Sequence, residues 1–462
     1  MEQRKFRMPT AYTILFCLIL LVAASTWFIP AGSYDYADGV PVSGSYHAVA
    51  AAPQGIGAAL KAAFSGFYDA VDVCVFILMV GGFLGVVMKT GAIDAGVSNV
   101  IARLQGKESW LIAILMLFFG LGGTTYGMWE ETMAFYPLLI PVFLAAGYDA
   151  VVGISVILLG AGAGVIASTV NPFATGIAAG FAGVSLGEGI LLRLLEWVAF
   201  EAAAIWFVMA YAARVKRNPS KSVVGVGAGR IQVTMDQQVP FTPKRKVIMA
   251  IFTLTFLIMV YAVVPFDEMG LSLPTLGWWF PELSALFLVG GVVIGLIDRM
   301  SEEELTETYV AGCADLLGVA FIIGISRGIT VLMRDGAITD TILHWGEAAL
   351  SGAGAVSFTL LVFALYLPLT ILIPSSSGLA TLSIPIVAPL GKFAGVGGDL
   401  VVTAFQSASG LVNILTPTAA VVMGALALGH VPYDRWVKYV WKLMAVFLLL
   451  ALAFLAAGVL LG

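Results

Sequence analysis

Apolar residues run along this chain in long, nearly unbroken blocks, not in the narrow stripes of surface helices. A helix needs roughly 20 such residues to cross about 30 Å of hydrocarbon. On that measure the pattern predicts membrane helices near 9–30, 66–88, 149–181, 188–214, 247–265, 282–297, 310–333, 398–430 and 433–461. Two further apolar stretches, 109–147 and 355–395, are interrupted in the middle by polar, Gly- or Pro-rich sequence. Each could be two full spans or one re-entrant hairpin whose tip stops within the membrane; the arms of 109–147, roughly 14–17 residues each, are short for a crossing, and the hairpin is the better reading. The first block lacks a small-residue cleavage site before Gly32 and is expected to stay as a helix.

Composition agrees with the pattern. The chain is 60% hydrophobic and 11% charged, against about 25% charged in soluble domains. A soluble enzyme, a disordered chain and, with a net charge of −5, a nucleic-acid binder are thereby excluded. Cys17, Cys74 and Cys313 are far apart in apolar runs, and His47, His344 and His430 are scattered, so neither set has metal or disulfide spacing.

The few charges set an orientation. Arg4, Lys5 and Arg7 precede the first helix. Arg214, Lys216, Arg217, Lys221, Arg230, Lys244, Arg245 and Lys246 crowd a central loop holding one acid, Asp236. Positive-inside bias makes both regions cytoplasmic. An even number of crossings then separates them, and four full helices with one hairpin supply it. Helix 66–88 would end inside at Lys89, followed by an amphipathic segment with Arg103 and Lys107. Segments 31–65 and 266–281, poor in basic residues, fall outside, and Trp278-Trp279 reads as an interfacial anchor.

The halves of the chain also resemble each other. Phe76-Ile77 to Met88 and Gly91-Ala92-Ile93 match Phe321-Ile322 to Met333 and Gly336-Ala337-Ile338 at an offset of 245. Pro137 and Pro141 match Pro385 and Pro389 at 248, and Pro172 matches Pro417 at 245. Under the expected topology the two copies run in opposite directions, the arrangement that lets one site face either side of a membrane in turn.

Four polar segments lie deep in apolar sequence: the tip Gly122–Thr132, the tip Ile373–Thr381, and the breaks Ser168–Pro172 and Asn413–Thr418. Proline removes a backbone donor, and opened backbone at membrane depth must be satisfied by protein, water or an ion. Carbonyls with Ser, Thr and Asn oxygens suit a hard cation, while half-helix N-termini attract carboxylates. Glu130 and Glu131 stand out, because a carboxylate at the bilayer centre costs at least about 2.5–3.5 kcal/mol. They could meet a cationic substrate group, carry a coupling proton or complete a sodium site; one could face the site while the other caps the hairpin. Arg327 replaces Gly82 of the first copy and reads as a structural, snorkelling side chain, with a substrate carboxylate as the other reading. Asp72, Asp315 and Glu201 are expected to be partly buried and mostly paired within the membrane.

Glu130-Glu131-Thr132-Met133-Ala134-Phe135-Tyr136-Pro137, Ser168–Phe173, Pro374–Gly378, Asn413–Thr418 and Tyr433–Lys438 resemble the YfcC-like bacterial carriers. That group stands with the basic amino acid antiporters and anaerobic C4-dicarboxylate carriers in the ion transporter superfamily. The resemblance implies an all-α elevator-type secondary carrier with inverted repeats, a homodimer in the bacterial inner membrane, similar in layout to p-aminobenzoyl-glutamate transporters. The chain then divides into 1–65 (first helix and external loop), 66–214 (first repeat, hairpin 109–147 facing the cytoplasm), 215–246 (cytoplasmic linker), 247–309 (two scaffold helices) and 310–462 (second repeat, hairpin 355–395 facing out). The N-terminus is expected inside and the C-terminus outside.

The expected substrate is an amino acid, most readily a basic one such as arginine or ornithine, moved by exchange or cation-coupled symport. Its site is expected among Thr124, Thr125, Trp129, Glu130, Glu131, Asn171, Ser375, Ser376, Ser377, Asn413, Thr416 and Thr418. Sodium would sit among Ser168, Thr169, Asn171, Ser377, Asn413 and Thr416; otherwise the coupled ion is a proton, with no other cofactor. A C4-dicarboxylate or short-chain carboxylate is the alternative substrate, and a channel the remoter alternative class. The Gly397-Gly398-Asp399 run of an intramembrane protease lacks a partner Asp, and no ATP-binding motif appears.

Overall fold

A computed structural model describes residues 11–461 of the chain, apart from 38–39, 43, 94, 97–107, 126, 186, 226–239, 264–265, 267–271 and 279. The expectations for Arg4, Lys5, Arg7, Arg103, Lys107, Tyr126, Arg230, Asp236 and Trp279 therefore lie outside the described residues.

In chain order the helices are α1 (Ala11–Ser25), α2 (Ile56–Asp69), α3 (Val71–Lys89) and α4 (Glu108–Thr125). A 3-10 turn (Glu130–Phe135) leads into α5 (Tyr136–Ala145), and α6 (Ala150–Ile166) is followed by a π-turn (Pro172–Gly176) and α7 (Ile177–Ala182). Then come α8 (Ile190–Arg217), α9 (Pro243–Val263), α10 (Phe280–Asp298), α11 (Glu302–Asp335) and α12 (Thr339–Leu350). The last are α13 (Ala355–Leu372), α14 (Ser376–Phe393), α15 (Gly398–Asn413), α16 (Ala420–Leu428) and α17 (Tyr433–Leu461). Four two-residue strands lie between α1 and α2 and pair in two antiparallel couples. Five helices among the described residues are long and apolar enough to cross a membrane: α3, α10, α11, α13 and α17.

The expected interruptions appear where Pro, Asn and Gly break the apolar runs. Span 149–181 divides into α6 and α7, and span 398–430 into α15 and α16. The stretch 109–147 is interrupted between Thr125 and Glu130, where 127–129 are not helical, and 355–395 at 373–375. The α13 arm, at 18 residues, is by itself long enough to cross, so this arm is longer than expected.

Two boundaries differ from expectation. Helix 310–333 starts eight residues earlier, at Glu302, because the Ser301 hydroxyl caps it by accepting from the Glu304 N–H at 3.1 Å. Glu302, Glu303 and Glu304 then suit the positive end of the helix dipole. Helix 66–88 is two helices, with the join at Ala70 (φ −125°, ψ 27°), and α2 takes up the last third of the segment expected as external loop. That join sets Asp69 and Asp72 on either side of a bend.

Helix directions follow from contacts at their ends. Lys89 at the end of α3 lies 3.6 Å from Glu304 at the start of α11, and Lys244 at the start of α9 lies 2.6 Å from Asp298 at the end of α10. Thus α3 runs antiparallel to α11, the helix whose sequence it matches at an offset of 245. Tyr211 near the end of α8 bonds Asp149, which caps α6, while Gly189 before α8 packs on Asp399 at the start of α15. So α6 and α15, which precede the matching Pro172 and Pro417, start at opposite ends of α8.

Packing divides the helices into two groups. In one, α11 is gripped by α2 and α3, with α1, α9 and α10 outside them; in the other, α4–α8 and α13–α17 pack around α6 and α15. Small residues make the closest contacts, as expected where lipid is as apolar as a side chain. A Cβ on Gly312 of α11 would collide with the Gly81 carbonyl of α3, and one on Gly328 with the backbone of Ala62. In the second group Gly164 of α6 fits against the Gly120 carbonyl of α4, and Gly410 of α15 against Ile166.

The contacts of these glycines give a stability test. Gly312→Val and Gly328→Val are each expected to destabilise the fold by about 1–3 kcal/mol or more through overpacking. Gly57 in α2 has nothing within 4 Å of an added Cβ, so Gly57→Ala should be neutral or stabilising by up to ~1 kcal/mol. Thermal unfolding in lipid nanodiscs, followed by tryptophan fluorescence, measures both; similar shifts for all three variants would refute this packing.

Candidate functional site

The two tips and the two breaks meet in one cavity of about 210 Å3 at the boundary between the helix groups. Gly127, Trp129, Glu130 and Glu131 line it from the first tip, and Pro374, Ser375, Ser376 and Ser377 from the second. The breaks contribute Asn171, Asn413, Thr418 and Ala419. The opposite wall is Asp69, Asp72, Phe280, Ile323, Ser326 and Arg327, from α2, α3, α10 and α11.

Each break survives because the protein itself satisfies the opened backbone. The Thr124 carbonyl at the end of α4 accepts from the Thr169 N–H (2.9 Å) and the Val170 N–H (3.3 Å). The Thr124 hydroxyl donates to the Ala167 carbonyl at 2.8 Å, and Gln406 Nε2 donates to the Val165 carbonyl at 2.6 Å. At the second break, Trp436 Nε1 donates to the Ile414 carbonyl (3.2 Å) and the Tyr433 hydroxyl to that of Leu415 (2.8 Å). Ser326 Oγ of α11 donates to the Thr418 carbonyl at 2.5 Å and so reaches across from one group to the other. Gly127 (φ 80°) turns the tip so closely over Asn171 that a side chain there would strike its amide.

The two glutamates are not equivalent. Glu131, 5% exposed, accepts the Trp129 N–H at 3.1 Å and so braces the turn that begins the 3-10 segment. Glu130 is more open to the cavity and lies in the field of both Arg327 and Asp72. Arg327 is turned to the cavity wall, its Nε 3.5 Å from Asp69 Oδ2, while Arg334 Nη1 lies 3.5 Å from Asp69 Oδ1. This replaces the snorkelling arrangement expected for Arg327.

At the second tip, Ser375 Oγ caps α14 by accepting from the Gly378 N–H at 3.3 Å. Ser376 and Ser377 at the start of α14 place the positive end of its helix dipole at this end of the cavity, which favours an anion there. The cavity thus has a positive side, Arg327 with the α14 N-terminus, and a negative side, Glu130, Glu131 and Asp72. Asn413 Oδ1 and, behind the cavity, Ser168 Oγ are buried oxygens without a hydrogen-bond partner among the described residues.

Of the residues expected at the site, Trp129, Glu130, Glu131, Asn171, Ser375, Ser376, Ser377, Asn413 and Thr418 line the cavity. Thr124, Thr125, Ser168, Thr169 and Thr416 stand back from it: Thr124 and Thr169 bond each other, Thr125 donates to the Leu121 carbonyl, and Thr416 bonds Thr418 at 2.8 Å. Asp69, Ser326 and Phe280 were not expected. The signal for Asp69 is its pairing with Asp72 three residues on, two acids in one apolar run. Asp315 is exposed on α11, and Glu201 is buried without a hydrogen-bond partner among the described residues. Among the described residues neither shows the expected intramembrane pairing: Asp315 is exposed and Glu201 faces the backbone of Gly120.

Comparison with known proteins supplies the family. The description of the C4-dicarboxylate anaerobic carrier family, DcuC, matches residues 8–460. An uncharacterised protein of Haemophilus influenzae is 34% identical over 501 residues, covering 97% of this chain and 96% of that protein. The Escherichia coli (strain K12) protein named "Putative basic amino acid antiporter YfcC" is 29% identical, covering 94% and 93%. Among solved structures, Neisseria gonorrhoeae MtrF, described within a class of antimetabolite efflux pumps, aligns at 16% identity and TM-score 0.47 over 97% of this chain and 95% of that one. The Alcanivorax borkumensis YdaH transporter aligns at 15% identity and TM-score 0.42 over 97% and 98%. The chain belongs to the C4-dicarboxylate anaerobic carrier family and is an integral membrane secondary transporter, not an enzyme.

Proposed function

We propose that this carrier moves a basic amino acid such as arginine or ornithine, by exchange or by symport with Na+ or H+. One observation carries the reading: the cavity wall holds four carboxylates, Asp69, Asp72, Glu130 and Glu131, against one guanidinium, Arg327, which already lies beside Asp69. A dianion would meet an excess of negative charge. A zwitterion with a cationic side chain finds a carboxylate site at Arg327 and the α14 N-terminus, and a cation site at Glu130 and Asp72. A coupled Na+ has Ser168 Oγ and Asn413 Oδ1 as candidate ligands.

Alternating access would come from the two packing groups. In this reading α4–α8 and α13–α17, which carry both tips and both breaks, move as an elevator against α1–α3 and α9–α11. The antiparallel runs of α3 against α11 and of α6 against α15 support inverted repeats. The positive-inside charges support an inner-membrane protein with its N-terminus in the cytoplasm and its C-terminus outside, and the resemblance of its motifs supports a homodimer. The second reading, a C4-dicarboxylate or short-chain carboxylate carrier with Glu130 and Glu131 as the ion site, is favoured by the family description.

Counterflow in proteoliposomes separates the two. Wild-type protein should exchange labelled arginine or ornithine, and Glu130→Gln should weaken their binding by about 2 kcal/mol, roughly thirtyfold. Exchange of C4-dicarboxylates with no response to arginine or ornithine would instead establish the second reading. Glu131→Ala, which removes the acceptor of the Trp129 N–H, should act on the tip it braces, costing about 1 kcal/mol of stability as for a lost helix cap. Thermal unfolding without substrate reads that effect, and an unchanged transition would refute the brace.

A further inference from the structure

Outside the cavity, α8 carries a second set of buried ionisable side chains: Arg193, Glu196 and Glu201, each at most 2% exposed. The first two belong to a charged group at the start of the helix. Glu196 Oε1 accepts from Ser407 Oγ at 2.8 Å, and Arg193 lies in the fields of Glu196 and Asp399. Glu201 is different. Neither of its carboxylate oxygens has a hydrogen-bond partner among the described residues. Its carboxyl lies directly over the backbone of Gly120 in α4, in the space where any larger residue would place its Cβ.

Among the described residues, nothing packed around Glu201 compensates a charge. Between Ser109 and Thr125, α4 has no ionisable side chain, and α6 has none. On α17 the candidates are Tyr433, Asp434, Arg435, Lys438, Tyr439 and Lys442; on α15, Asp399; on α8 itself, Arg193, Glu196, Tyr211, Arg214, Lys216 and Arg217. None lies close enough to act on Glu201, and Tyr211 is already engaged with Asp149. A buried carboxylate ion without donor or counter-charge is among the costliest groups a protein can hold, whereas the neutral acid costs far less.

We propose that Glu201 is a proton-binding site through which the transport cycle is coupled to H+, an assignment that rests on the carrier reading above. With its proton in place the neutral carboxyl lies against Gly120 and α4 stays docked. When the Oε–H bond breaks and the proton passes to water, the carboxylate ion is left facing bare backbone. It must then reach solvent or a cation, and the contact with α4 opens. Because α4 leads directly to the tip that carries Glu130, protonation at Glu201 and occupancy of the cavity are linked. Glu196, with Ser407, lies 7.5 Å of helix rise (roughly, at 1.5 Å per residue) toward the Arg193–Asp399 end and offers a next stop for the proton.

Two measurements on the Glu201→Gln variant in lipid test this. The infrared spectrum of wild-type protein at neutral pH should contain a protonated-carboxyl carbonyl band that the variant lacks; an unchanged band overturns the assignment without reference to any substrate. In proteoliposomes the variant should keep substrate counterflow but lose pH-gradient-driven accumulation by roughly 5- to 150-fold, the range of a coupling free energy. Accumulation at the wild-type level, or loss of counterflow together with accumulation, would overturn it. If wild-type protein itself moves none of the solutes, the carrier reading fails, and the infrared band still decides whether Glu201 holds a proton.

Discussion

Inside a membrane no backbone polar group can be left to water, and this constraint organises the molecule. The breaks after α6 and α15 expose N–H and C=O groups at depth, and the Val165, Ala167, Ile414 and Leu415 carbonyls among them find partners from elsewhere in the chain. Thr124 closes the first break from the end of α4, Gln406 joins the first broken helix to the second, and Trp436 with Tyr433 closes the second from α17. The breaks are therefore docking points. They draw both tips to one place, and the cavity is what remains between them and α11.

The same constraint explains the use of glycine. Helices whose backbones must touch cannot carry side chains at the contact, so Gly81, Gly312 and Gly328 hold α2 and α3 against α11, while Gly120, Gly164 and Gly410 hold the broken helices and the first tip together. Between the groups there is less such packing. Ser326 to Thr418 is one of the polar links across the boundary, and the ionisable side chains of the cavity are gathered there. A polar, weakly packed seam between two tightly packed bodies is where relative movement costs least.

Much of this was legible in the sequence for a simple reason: polar and helix-breaking residues in an apolar background have few uses. The breaks at Pro172 and Pro417, the two tips and the glutamate pair could be placed from that contrast alone. What could not be read depends on contacts between distant segments. The bend at Ala70 has no proline or glycine of its own, so the Asp69–Asp72 pairing in the sequence did not show that Asp69 lies beside Arg327 on one cavity wall. Thr124 and Thr169 have the composition of ligands but serve as backbone partners, a difference visible only once α4 lies beside the first break. Adjacent Glu130 and Glu131 are alike in sequence; the Trp129 N–H decides which one braces the turn. Asp315 and Glu201 were expected to be paired, and only the packing shows one exposed and the other against a glycine.

The central claim is that a cavity with four carboxylates and one guanidinium selects a cationic amino acid. Ligand-dependent thermal unfolding of the purified protein in lipid tests it most directly, since a ligand that binds only the folded state stabilises by RT ln(1 + [L]/Kd), about 2.7 kcal/mol at a hundredfold excess over Kd. Arginine or ornithine should raise the unfolding temperature in a saturable way while C4-dicarboxylates leave it unchanged. Stabilisation by a C4-dicarboxylate, with no response to either basic amino acid, would contradict it.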